Sequence, residues 1–287
     1  AYVDPRPTQD TIGLAYEEYF THYEGPDFNS LSNFQKLSRR MANGYRNFQY
    51  GTRDDPATCL GILAAALLRG HRATLDAGMR HLPRASKGMR LLDVGCGNSV
   101  FLSRARSAGW EVVGVDFDPI AVAAARRNGL DVRLGGVEIL DVAKEQFDYI
   151  TLAHSIEHVH NPKKLLSKCF GLLRRGGAIW IDTPNIESLG HQQFGRGWRG
   201  LEPPRHLVIF SLSSLRHALK ESGFSAIEIQ PYRRLCKEIF DASTTICGDG
   251  QQDLDPDTSS TAIKRAERAA VHDPTKREFI TVKAGKS

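Results

Sequence analysis

Short apolar runs alternate with segments whose apolar positions recur every three or four residues from about residue 89 to residue 184. That is the pattern of strands buried on both faces and joined by helices. MRLLDV at 89–94, EVVGV at 111–115, DVRLG at 131–135, FDYITLA at 147–153 and AIWID at 178–182 read as strands. The stretches 100–108, 119–128 and 162–174 read as the intervening helices; Pro119 opens the second and Gly129 closes it. A helix at 212–222 and strands at 226–232 and 278–284 continue the series. The alternation predicts an α/β domain with a largely parallel sheet covered by helices on both faces.

Residues 1–88 precede the first strand and contain short amphipathic candidates at 15–20, 34–48 and 58–81, so they read as an N-terminal helical cap or lid to a catalytic domain at 89–287. Within that domain 233–275 reads as a variable insert: 241–260 lacks periodicity and predicts a mobile loop, followed by a short helix at 261–270. The chain of 287 residues is 41% hydrophobic, enough to bury a large core. Its most apolar run, CLGILAAALL at 59–68, is too short to span a bilayer and predicts a buried helix. The N-terminus shows no signal-peptide pattern.

A net charge of +5 raises the question of an anionic partner, but the cap, the centre and the C-terminal part carry only +1 or +2 each. Basic residues occur in pairs rather than in a stripe, which disfavours nucleic acid. The five cysteines, at 59, 96, 169, 236 and 247, form neither a CxxC pair nor a disulfide framework, so a reducing cytoplasmic setting fits. The cap and the insert offer apolar contacts for a homo-oligomer.

LLDVGCGNS at 91–99 ends a strand in a glycine-rich turn, where a ligand can approach the backbone and the N-terminus of the next helix. Asp93 lies near the end of that strand and Gly95, Cys96 and Gly97 form the turn. A second strand ends in Asp116, whose carboxylate can accept from both hydroxyls of a ribose, and Phe117 follows it, placed to pack beside a base. The turn is not the GxGxxG of a dinucleotide site, and Asp93 would be poorly placed beside a pyrophosphate. A cationic ligand without phosphates matches better.

These residues resemble the class I S-adenosylmethionine-dependent methyltransferases over roughly 89–231 and again in the final strand. The resemblance implies a Rossmann-like seven-stranded mixed sheet with its last strand antiparallel, and S-adenosyl-L-methionine held by Asp93, Gly95, Cys96, Gly97 and Asp116. Many relatives place an acid at the end of the third strand to meet the adenine amino group. Here the stretch is Gly135-Gly136-Val137-Glu138, so the backbone of Val137 or a displaced Glu138 would substitute.

After the fourth strand comes His154-Ser155-Ile156-Glu157-His158-Val159-His160-Asn161-Pro162. His154, Glu157 and His158 stand at i, i+3 and i+4, which brings them together on a helical turn. The segment resembles the EHV-Pro signature of small-molecule methyltransferases, including the ubiquinone-pathway O-methyltransferase branch. WRGLEPPRH at 198–206 resembles the substrate loop of many relatives: Trp198 would cover a substrate, Arg199 or Arg205 would contact an anion, and Glu157 would help shape the pocket. His154 or His158, then His206, are the candidate bases for an acceptor hydroxyl. Tyr19 of the aromatic segment AYEEYFTHYE would cover the acceptor and Tyr23 the donor. His154, Glu157, His158 and His206 would also suit a transition metal, although methyl transfer from the donor needs none.

The expected function is methyl transfer to a small-molecule acceptor, foremost a hydroxyl of a sugar, phenol or natural-product intermediate. N- or C-methylation, an RNA or protein substrate and a noncatalytic donor-binding role are the alternatives.

Overall fold

The computed structural model describes residues 6–8, 11, 31–248 and 257–287. Among the described residues three helices, α1 (Asn33–Tyr50), α2 (Leu60–Leu67) and α3 (Arg69–Gly78), precede the sheet. Ser32 starts α1 through a reciprocal capping box with Gln35, and Gly51 ends it in the left-handed conformation. The apolar run at 59–68 is helical as read, but Leu60, Leu63, Leu67 and Leu68 are exposed rather than buried.

The sheet is mixed and seven-stranded, in the order β3-β2-β1-β4-β5-β7-β6. Its strands are β1 (Arg90–Val94), β2 (Glu111–Asp116), β3 (Asp131–Leu134), β4 (Phe147–Ala153), β5 (Leu173–Pro184), β6 (Ser225–Ile229) and β7 (Phe279–Gly285). β1 with β2 and β2 with β3 are parallel, whereas β7 runs antiparallel to both β5 and β6. The helices α4 (Val100–Ser107), α5 (Pro119–Arg127), α6 (Pro162–Leu172) and α8 (Leu212–Glu221) fall where the periodicity placed them. Pro119 sits in the first turn of α5 behind an Asp118 cap that accepts from the Ile120 and Ala121 amides.

Compact packing divides the chain into two units: one ends at Thr151 and adds Leu172–Gly177, the other holds Leu152–Gly171 and everything from Ala178 onwards. In the first unit Leu91, Leu92, Val115 and Ile150 are wholly buried, as strands covered on both faces require. Gly114 in β2 has a packing reason, since a Cβ there would lie 2.7 Å from Leu102 of α4 and 2.8 Å from the Cys96 sulfur.

In the second unit β7 alternates, with Ile280, Val282 and Ala284 buried and their neighbours part-exposed. The expected loop at 241–260 is corrected over its first part, because α9 (Cys236–Gly248) is a helix, and after 249–256, which lie outside the described residues, α10 (Ser260–His272) follows. Cys236 and Phe240 of α9 share a core with Ala266 and Ala270 of α10 and with Phe194 of the short helix α7 (Leu189–Phe194). The polar run that hid α9 satisfies itself: Ser243, Thr244 and Thr245 each donate to the carbonyl four residues back.

Candidate functional site

Two sites emerge, one in each unit. The first lies where β1 and β2 end. The Gly95 and Cys96 amides both donate to the Val115 carbonyl, at 2.9 and 3.3 Å, locking the turn against β2. Gly95 and Gly97 have φ of 73° and 49°, a region that L side chains rarely adopt, and a Cβ on Gly97 would meet nothing within 4 Å. The turn is therefore open above Gly97.

Asp116 closes β2, half-buried, with Oδ2 accepting from the Gly97 amide at 2.7 Å and Oδ1 from the Asp118 amide at 2.9 Å. Both oxygens are fixed in place and each keeps a lone pair for a ligand hydroxyl. Beside it Phe117 is 71% exposed, a large apolar ring with most of its surface open. A Cβ on Gly136 would lie 3.0 Å from that ring and 2.5 Å from Glu138 Oε2, so the backbone of Gly136, the ring and the carboxylate meet at one point. Glu138 turns back to accept from the Gly136 amide at 2.9 Å, while Val137 is buried. Glu138, the displaced acid, is thus the carboxylate present at the end of β3.

Two residues of the predicted donor set face inward. Asp93 is wholly buried, paired with Arg80 and accepting from Thr151 Oγ1 at 2.9 Å. Burial pushes its pKa up further than Arg80 and Thr151 pull it down. Its Oδ2 has no hydrogen-bond donor, and an ammonium or a water would satisfy it. The Arg80 guanidinium also lies 3.8 Å over the Phe101 ring, an anchor that the sequence offered no signal for. The Cys96 side chain is buried, and desolvation raises its thiol pKa well beyond the usual range, so only its backbone is available to a ligand.

The second site begins at the end of β4. His154 has φ of 51°, and its amide donates to the Asp182 carbonyl at 2.9 Å. Asn, Asp and His are the side-chain-bearing residues that tolerate this region best. The turn sets the ring between two carboxylates: Nδ1 lies 3.5 Å from Glu157 Oε1 and Nε2 lies 3.5 Å from Asp182 Oδ2, with Phe279 edge-on at 5.0 Å. Desolvation works against the imidazolium, but Glu157 and Asp182 outweigh it and hold the pKa above its ordinary value.

Asp182, which the sequence did not single out, is itself fixed by Thr281 Oγ1 at 2.6 Å and Arg233 at 3.3 Å. Its only signal was an acid near the end of a buried strand. Glu157, at zero exposure, accepts from Thr183 Oγ1 at 3.0 Å. Desolvation would raise its pKa; His154, His158 and His206 together pull it below the usual range.

His158 and His206 form a second pair, with rings 4.8 Å apart. Nδ1 of His158 donates to the Arg205 carbonyl at 3.1 Å and Nδ1 of His206 to the Gly200 carbonyl at 2.8 Å. The Leu207 and Val208 amides donate to the Glu157 carbonyl, stitching the 198–206 loop to the 156–158 turn. Burial, reinforced by His158, lowers the pKa of His206. Ligand atoms of Glu157, His158 and His206 lie within 4.8 Å of one another, close enough for a metal ion after a small contraction; His154 is not part of that group.

The loop arginines bind protein. Arg199 pairs with Glu202 at 2.7 Å and Arg205 pairs with the same carboxylate. Trp198 is corrected from a substrate cover to a core residue: it is 1% exposed and donates Nε1 to Glu278 at 2.9 Å. Tyr19 and Tyr23 lie outside the described residues.

A family described as "Methyltransferase domain" matches residues 68–229. The ubiquinone biosynthesis O-methyltransferase of Bordetella avium is 31% identical over 155 residues, covering 52% of this chain and 63% of that one. Its counterpart from Xanthomonas oryzae pv. oryzae is 36% identical over 107 residues, covering 34% and 44%. The matches thus span between two-fifths and two-thirds of those relatives. A SAM-dependent methyltransferase from Archaeoglobus fulgidus shares the fold, with a TM-score of 0.52, 21% identity and coverage of 78% of this chain and 99% of that one.

Proposed function

Because the chain belongs to the methyltransferase-domain family matched over 68–229, we propose that it transfers the methyl group of S-adenosyl-L-methionine to a hydroxyl of a small molecule. The donor supplies an electrophilic methyl carbon on a sulfonium, which needs an aligned nucleophile and dry surroundings. The observation that carries the donor assignment is Asp116, held by the Gly97 and Asp118 amides beside a turn with open space above it. In this reading Asp116 takes the ribose hydroxyls, Phe117 and Glu138 the adenine, and Gly95 to Gly97 the amino-acid portion. The unsatisfied Asp93 Oδ2 suits the ammonium, directly or through water.

His154 is the group best equipped to take the acceptor's proton. Glu157 and Asp182 flank its two ring nitrogens and stabilise the imidazolium that proton uptake creates. The names of the relatives support oxygen as the methylated atom, with a phenol, sugar or natural-product hydroxyl as the acceptor class. In this reading the helical segment that precedes the sheet, α1 to α3, is the element that selects the acceptor.

A second reading has an observation of its own. His158 and His206 each spend Nδ1 on a backbone carbonyl, the arrangement that orients a metal-ligating imidazole, beside a Glu157 Oε1 that has no hydrogen-bond donor. A divalent ion there would bring the acceptor oxygen's pKa down in place of, or together with, His154.

Isothermal titration with S-adenosylmethionine tests the donor assignment. The intact chain should bind one equivalent, and Asp116→Ala should weaken binding roughly tenfold or more, as the loss of hydrogen bonds to a charged acceptor implies. Unchanged affinity in that variant would overturn the ribose contact.

A further inference from the structure

We infer that the acceptor is a small hydroxylated carboxylic acid, its carboxylate held by Arg233 while its hydroxyl meets His154. The inference rests on the reading of His154 as the base. Arg233 stands in the connection between β6 and α9 and shares a partner with that base. Its Nη2 lies 3.3 Å from Asp182 Oδ2, the same oxygen that His154 Nε2 approaches to 3.5 Å. The two nitrogens can be no further apart than the sum of those distances, about 6.8 Å, a gap that a small molecule spans.

Beside this pair is a small cavity, with room for one water-sized group, whose walls include Tyr232, Arg233, Arg277, Glu278, Phe279 and Thr281. Two of these also touch the base or its partner: Phe279 stands edge-on to the His154 ring at 5.0 Å, and Thr281 donates to Asp182 Oδ1 at 2.6 Å. The cavity and the base therefore share a wall. Arg277 is fixed there, with Nε donating to the Ala270 carbonyl at 3.1 Å and Nη1 to the Gln230 carbonyl at 2.9 Å. Glu278 spends its oxygens on the Gly190 amide and Trp198 Nε1, and a pKa of about 7 leaves it only partly ionised. Two guanidinium groups against that one carboxyl give the lining a net positive charge.

The protein itself makes little use of Arg233. A guanidinium carries N–H donors on three nitrogens, and here only Nη2 meets an acceptor among the described residues. The side chain is 29% exposed. Asp182 does not depend on it, because Thr281 holds one oxygen and His154 lies beside the other. For the base the arrangement carries a penalty: Arg233 opposes the imidazolium that Glu157 and Asp182 favour. An anion on Arg233 cancels that opposition, so an acceptor with its own negative charge makes His154 a stronger base as the hydroxyl arrives. The anion contact expected of Arg199 or Arg205 is already spent, since both pair with Glu202. A carboxylate fits better than a phosphate ester. Its planar pair of oxygens matches the guanidinium fork, and the cavity admits one oxygen where a tetrahedral phosphate brings three. The rings of Tyr232 and Phe279 in the wall suit a phenolic acid.

The test is isothermal titration of the full chain, with S-adenosylhomocysteine present, using 3-hydroxybenzoate, 3-hydroxycinnamate and the methyl ester of each. At least one acid should bind about tenfold or more tightly than its ester, as a charge-assisted pair implies. Arg233→Leu should erase that preference, weakening the acid roughly tenfold or more and leaving the ester within about twofold. Arg233→Lys should restore part of it. A merely structural arginine would weaken acid and ester alike. Should Arg233→Leu disturb folding, Arg233→Gln serves, with the same outcome expected. Equal binding of acid and ester by the wild type, no binding of either acid, or equal loss or no loss in the folded Arg233→Leu protein would each overturn the inference. His154→Ala separates it from the reading of the base: the preference for acid over ester persists in that variant, whereas slowed transfer reports on His154 alone. S-adenosylmethionine affinity, read on the same samples, stays constant in the Arg233 variants and reports on the donor site.

Discussion

Asp182→Asn removes one of the two carboxylates that flank His154 and leaves the shape of the side chain almost unchanged. The separation from His154 Nε2 is 3.5 Å. Coulomb's law at that distance gives about 5 kcal/mol at an effective dielectric of 20 and about 1 kcal/mol in water. With 42% of the His154 side chain exposed, solvent screening places the interaction near the lower value, ~1–2 kcal/mol.

His154 should therefore titrate at lower pH in Asp182→Asn, followed by NMR of its ring Cε1 proton. Arg233→Leu should move it the other way, because Arg233 opposes the imidazolium. The sign extends to stability. A histidine whose pKa is raised by folding contributes stability below its unfolded value near 6.5 and loses it as pH rises through the folded value. The stability gap between wild type and Asp182→Asn should thus narrow across that window. An unchanged His154 titration in a folded Asp182→Asn protein, or a downward shift in Arg233→Leu, would refute the reasoning.

Glu278 is 1% exposed, and burial lifts its pKa to about 7 against the pull of the Gly190 amide and Trp198. A carboxyl raised from 4.5 binds a proton in the folded state that the unfolded chain has lost, so stability should fall as pH climbs from about 4.5 to 7, by about 3 kcal/mol in all. Glu278→Gln should flatten that slope in denaturant melts taken at pH 5 and pH 8. Gly114→Ala should destabilise the protein by about 1–3 kcal/mol through its clash with Leu102 and Cys96, read as a lowered melting temperature.

Much of the first unit was legible because its signals are local. A buried parallel strand must be apolar throughout, a turn that approaches a ligand needs Gly95 and Gly97, and Pro119 and Gly129 bound a helix by their own geometry. The second site was legible in composition but not in arrangement. His154 and Glu157 do meet, yet through a left-handed residue and a short 3₁₀ turn rather than an α-helical one. Asp182 reaches His154 across 28 positions of chain, a contact that only the fold supplies. Trp198 misled because an aromatic in a proline-rich loop looks like a lid, while its ring lies in a core built from α7, α9 and α10. The leucines of α2 misled in the opposite direction: an apolar run reads as buried, and nothing in the run itself says that its outer face stays uncovered.

The most direct measurement incubates the intact chain with methyl-labelled S-adenosylmethionine and a fractionated small-molecule extract, and follows the label by mass analysis in the wild type and in His154→Ala. The account predicts label in a small-molecule product, attached through oxygen, and single-turnover transfer slowed by about 10²-fold or more in the variant. Label appearing only in RNA or protein, or in no product at all, would contradict it.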